Sequence, residues 1–147
     1  MTLKQWEQVN KWLVAHQTSK EEIANLLDVG HRDLRDSRVA GLSADARLGH
    51  AYAAALQYAS AALAAAGYRP ARGGDHHYRV IQALALTIGW EAKRVARLDA
   101  FRKKRNLSSY ERAGDVSDAE TEEIRQLAIS LRDDVDSWLK KIHPELI

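Results

Sequence analysis

Residues 101–110 read FRKKRNLSSY and hold the densest chemistry in the 147-residue chain. Four consecutive cations, Arg102, Lys103, Lys104 and Arg105, run into Asn106, and hydroxyls follow at Ser108, Ser109 and Tyr110. A guanidinium offers a planar fork of N–H donors that matches phosphate oxygens, and a carboxamide both donates and accepts at a base or ribose edge. Residues 91–112 carry eight Lys or Arg against three Asp or Glu, whereas the whole chain carries 22 against 20, so the remainder is net negative. This local excess suits RNA or a nucleotide, with Arg102, Lys103, Lys104, Arg105, Asn106 and Ser109 as the contacts. The competing reading is a solvated helix end whose cations oppose the negative pole of the helix dipole.

Cleavage of RNA without a metal needs a group that takes the proton of the 2′ hydroxyl. Imidazoles titrate near neutral pH, and the adjacent His76 and His77 are the nearest upstream supply, with His77 the better candidate for a catalytic role. A surface or packing role is the alternative for that pair. His50 is a weaker candidate, and His16, His31 and His143 need no function. Two adjacent histidines without a companion Asp or Glu at ligand spacing do not make a metal site, so neither a metal nor a cofactor is expected. The chain has no cysteine, which excludes disulfides, thiolate metal sites and thiol nucleophiles. Its four tryptophans fall at helical spacing and read as core anchors rather than a base-stacking platform.

The elements that must position these groups are helical. Thr2 with Gln5 and Ser117 with Glu120 are capping-box pairs, as are Ser19 and Glu22. Behind them lie apolar stripes at Leu3, Trp6, Val9, Leu13 and Val14, at Ile23, Leu26, Leu27 and Leu34, and at Ile124, Leu131, Val135 and Leu139. These predict a first helix ending near His16, a second running to about Ser37, and a long last helix ending before Pro144. Residues 44–66 are so rich in alanine that they predict a central helix with close neighbours, stopped by Gly67. The stretch YRPARGGD at 68–75 reads as a loop whose Asp75 caps the next helix, and from Trp90 a helical pattern leads into the basic segment, with Gly114 as its end. No strand alternation is apparent. The fold class expected is all-α, an antiparallel up-and-down bundle of five or six helices, as one domain over 1–147 with an N-terminal helical hairpin over 1–40 and a core bundle over 44–142. No run approaches a membrane span and the N-terminus lacks a signal-peptide core, so a cytoplasmic protein without membrane contact is expected.

The segment RKKRNLSSYE, following an amphipathic helix in a small all-helical protein, resembles the signature of the HEPN family, the higher eukaryotes and prokaryotes nucleotide-binding domains. The likeness extends from about Ala44 to Leu139 in the order of elements: AYAAALQYA, the GYRP loop, HHYRVIQALALTIG, then the Arg-Asn pair. The resemblance implies a helical bundle that forms a homodimer with its Arg-Asn segments facing each other. Active members cut RNA without a metal through an Arg, four to six intervening residues and a His. Arg105 and Asn106 match the start of that motif, while Tyr110 stands at the shortest His spacing and Glu111 and Arg112 at the longer ones. The resemblance therefore implies RNA or nucleotide binding, with metal-independent ribonuclease activity resting on Arg105, Asn106, Tyr110 or His77, in a toxin-antitoxin or phage-defence setting with an antitoxin partner. A phenol titrating at about pH 10 is a poor base at neutrality. The alternative implied is a catalytically silent dimeric module that partners a minimal nucleotidyltransferase.

Overall fold

A computed structural model describes residues 1–74, 76–110 and 115–147, with the backbone alone for 107–110. It is the expected helical bundle. Four long helices carry it: α2 (Lys20–Asp36), α3 (Ala44–Ala65), α6 (Ala92–Tyr110) and α7 (Asp118–Ile142). Three short ones, α1 (Leu3–Val9), α4 (His77–Gln82) and α5 (Leu84–Thr87), fill the remaining connections, and a 3-10 turn over Pro144–Leu146 follows α7.

Side-chain contacts fix the directions. His31 meets Tyr58 while Asp36 approaches His50, so α2 and α3 are antiparallel. Arg94 reaches Asp134 while Lys104 reaches Glu120, so α6 and α7 are antiparallel as well. By contrast α3 and α7 run parallel, because their first turns are tied together: the Thr121 hydroxyl donates to the Ala44 carbonyl at 3.3 Å and Arg47 pairs with Asp118 at 2.7 Å. In an up-and-down four-helix arrangement such a parallel pair is a diagonal, which ordinary side chains hold apart. Here Ala51, Ala54, Ala55, Ala59 and Ala62 are buried on α3, and small residues let the diagonal helices touch. The alanine bias thus makes α3 the axle of the monomer. Most of its alanines are therefore spent inside the chain, with Ala53 half-buried.

The helix ends follow local chemistry. Thr2 with Gln5 and Ser117 with Glu120 form complete capping boxes, and Ser19 and Ser43 accept from the backbone N–H three residues on. Gly67, at φ +97°, turns the chain out of α3 in a conformation that disfavours a side chain. Gly30, within α2, is held by space: a Cβ there would lie 2.7 Å from a ring carbon of Tyr58. The glycine is the place where α2 crosses α3.

Two expectations are corrected. The first helix stops at Val9, and Leu13 and Val14 lie in a strand, β1 (Leu13–Ala15), which pairs antiparallel with β2 (Tyr68–Pro70) in the register Leu13↔Pro70, Val14↔Arg69 and Ala15↔Tyr68. Both strands are three residues long, too short for period-two alternation to register in the sequence. The helix expected from Asp75 onward is likewise broken, at Ala83, into α4 and α5, and α6 follows Gly89 as a separate helix. His76 is the residue before α4 and makes no side-chain cap; Asp75, expected in that role, and Gly114, expected as a terminator, lie outside the described residues. Among the described residues no helix is long and apolar enough to cross a membrane.

Candidate nucleic-acid interface

Three elements deliver the candidate groups to one face. The buried ring of Tyr52, on α3, has the Arg105 guanidinium of α6 at 5.9 Å from its centroid and the His77 imidazole of α4 at 6.3 Å. A cation over an aromatic face is held by the ring quadrupole, and Tyr52 is therefore the ring that Arg105 and His77 share. Arg105 and His77 are 28 positions apart in the sequence, so this meeting follows from α4 packing against α6.

The basic run divides sharply by role. Asp99 is buried on α6, and it accepts from Arg102 Nε at 2.6 Å with Lys103 Nζ at 3.7 Å. A buried carboxylate without such partners is strongly destabilising, so these two cations have structural work. Lys104 lies 3.5 Å from Glu120 and 3.8 Å from Asp115, which ties the end of α6 to the start of α7. The Glu120 carboxyl is held below its ordinary range, first by the Ser117 backbone N–H and further by the Ser117 hydroxyl and the Lys104 ammonium. Upstream, Arg97 grips Glu123 with two N–H groups, and Arg94 shares Asp134 with the indole N–H of Trp90. Arg105 makes no ion pair among the described residues. Asn106 is half-buried next to it. The side chains of Ser108, Ser109 and Tyr110, and all of Glu111 and Arg112, lie outside the described ones.

All four tryptophans pack in or against the core, in keeping with the reading of them as anchors, and two of them also wall a neighbouring cleft. Trp12 and Trp90 are buried, as that reading requires, and Trp138 packs on the core. Trp6, however, is partly exposed and stands edge-on to Trp12 at 5.8 Å, and both line a cleft of about 250 Å³ with Tyr78, Arg79, Asn10 and Gln82. Arg79 lies over Trp12 at 5.6 Å, and Arg102 over Tyr78 at 5.4 Å. Aromatic walls with amide and guanidinium groups at the rim suit a planar ring that needs stacking and edge hydrogen bonds. This cleft abuts the Arg102 to Arg105 turn through Tyr78. Sequence spacing gives no hint of it, because Trp6 and Tyr78 come from opposite sides of the β1–β2 ladder.

One constellation bears on metals. Asp33 and Asp36 of α2 and His50 of α3 bring one ligand atom each to within 4.8 Å of one another. Their spacing along the chain conceals this, since the set is assembled across two helices. Asp33 Oδ1 already accepts from both Arg32 Nε and Nη2, at 3.2 and 3.0 Å, so the carboxylate is engaged by a cation of its own helix. No protein-family model, no curated protein and no solved structure matches the chain.

Proposed function

We propose that this chain binds RNA or a nucleotide across the face made by α3, α4 and α6, as a helical protein of the HEPN type. The observation that carries the reading is the placement of Arg105 and His77 against the one ring of Tyr52. A phosphate approaching this face meets Arg105 as a cation with no carboxylate partner among the described residues, and a base one step along reaches the cleft walled by Trp6, Trp12 and Tyr78. Arg102, Lys103 and Lys104 contribute at longer range, since their charges are largely spent on Asp99, Asp115 and Glu120. That same pairing favours the second reading, a catalytically silent module that holds RNA or a protein partner such as a nucleotidyltransferase. If the site cuts, His77 is the base and Arg105 steadies the charge developing on the phosphate, with no metal in the reaction. A homodimer is part of the reading, as the family resemblance implies.

Fluorescence anisotropy with a labelled single-stranded RNA tests the proposal. Arg105→Ala should weaken binding about tenfold, equivalent to about 1.4 kcal/mol, and Lys104→Ala by less than about threefold. Affinity should fall as salt is raised. Equal losses from the two variants, or no binding at low salt, would leave the basic run as a helix-pairing device. In a cleavage assay with chelator present, His77→Ala should abolish any activity, and Tyr110→His should raise it if the family geometry holds. A Tyr110→His protein that binds RNA and cuts nothing would favour the silent module.

A further inference from the structure

A second cationic site lies on the far side of the bundle, where α2 and α7 run side by side. Arg35 and Arg38 from the end of α2 and Arg125 and Arg132 from α7 line one cleft of about 340 Å³, floored by Leu34 and Ile129. Arg35 stands in the last turn of α2 and Arg38 in the turn just past its end, while positions 125, 129 and 132 share a flank of α7. Arg125 is anchored, donating from Nε to the buried Ser37 hydroxyl at 3.2 Å and from Nη1 to Glu122 at 2.7 Å. Arg132 donates to Asp133 at 3.0 Å. Neither Arg35 nor Arg38 has an ion pair among the described residues. Among the described residues, the ion pairs of these four guanidiniums, with five N–H donors each, involve two carboxylates, Glu122 with Arg125 and Asp133 with Arg132, and Arg38 adds its charge near Glu122. Complementing the α2 dipole accounts for Arg35 and Arg38 at the helix end, but not for two more guanidiniums brought to them from α7.

We propose that this cleft binds a small phosphate anion of the diphosphate class, free or as an ester, independently of the face around Arg105. The charge pattern selects a compact ligand. Along the same flanks, Asp28 precedes His31 by one turn of α2, Glu122, paired with Arg125, precedes it by one turn of α7, and Asp136, paired with Lys140 at 2.9 Å, follows Arg132 by one turn. A nucleic-acid strand laid along the groove would leave the unpaired cations Arg35 and Arg38 for stretches whose cations already hold carboxylates, whereas a diphosphate stays among the arginines. The apolar floor gives the organic part of an ester a surface to cover.

Isothermal titration calorimetry with pyrophosphate, and separately with ADP, tests the site in the full chain. One equivalent of pyrophosphate should bind and raise the melting temperature, and an equal concentration of sulfate should bind at least tenfold more weakly. Arg35→Ala with Arg38→Ala should lower pyrophosphate affinity at least tenfold. These two side chains have no ion pair among the described residues, and circular dichroism checks that the variant keeps its helices; Arg105→Ala should leave the affinity unchanged. Either order of pyrophosphate and ADP supports the site, and the order shows whether the floor takes an organic group. Absence of heat and of any melting shift with pyrophosphate, sulfate binding as tightly, full affinity in the double variant, or displacement of pyrophosphate by single-stranded RNA would each overturn the proposal.

Discussion

Tyr58 carries two constraints in one side chain. Its ring rests on Gly30, and its hydroxyl shares a 2.7 Å hydrogen bond with His31 Nδ1. Burial pushes its phenol up to about 12, because the charged phenolate would lose its water. The folded value is above the unfolded one of about 10, so the neutral phenol favours the fold. That contribution is complete below about pH 10 and is lost as pH rises toward 12. Absorbance titration of the phenolates should therefore show one group ionising last, together with the loss of helical circular dichroism. Tyr58→Phe should remove that coupling and leave the alkaline limb of unfolding shallower. A Tyr58 that ionised near its ordinary value in a folded protein would contradict its burial.

At the scale of elements, Gly30 reverses the usual rule. Alanine in place of a helical glycine ordinarily stabilises by about 1 kcal/mol. Here the added methyl meets the Tyr58 ring, so Gly30→Ala should destabilise by about 1–3 kcal/mol, the range for overpacking a filled core, as read by urea unfolding. A stabilised variant would show that α2 and α3 can separate at small cost. Several helix ends were legible in the sequence, because Thr2, Ser19, Ser117 and Gly67 act on backbone groups within three or four residues of themselves. The partner of Gly30 was not, being 28 positions away on another helix. Leu13 and Val14 misread as helix for a related reason: their apolar spacing fits a helical stripe, and only the arrival of Tyr68 and Arg69 draws them into a ladder.

At the scale of the whole molecule, that ladder folds the N-terminal segment back onto the turn after α3. Leu13 is 2% exposed and belongs to the main core, whereas Val9 is 71% exposed. Leu13→Ala should cost about 2–5 kcal/mol and Val9→Ala less than about 0.5 kcal/mol by thermal or denaturant unfolding. Similar small effects from both would mean that the ladder contributes little. The sites divide along the same line between local and distant. Arg102 through Arg105 stood out because they are consecutive, yet Lys104 finds its carboxylates beyond α6, at Asp115 and Glu120, and so its structural share stayed hidden. The arginine cleft was invisible, since Arg35 and Arg38 are separated from Arg125 and Arg132 by most of the chain and each pair alone looks like an ordinary helix surface. The Trp6 to Tyr78 cleft depends on the ladder in the same way.

The contact between α3 and α7 also bears on how the protein is made. Ribosomes release α3 well before α7, so a nascent chain holds a finished helix whose alanine stripe lacks its diagonal neighbour until residues 118–142 emerge. In that interval α2 can dock, with Tyr58 seating on Gly30, while Leu48, Ala55 and Ala62 wait in water. Stalled translation products that stop short of Asp118 would accordingly present a smooth apolar groove to chaperones and proteases, and synthesis of the last long helix is the event that retires it.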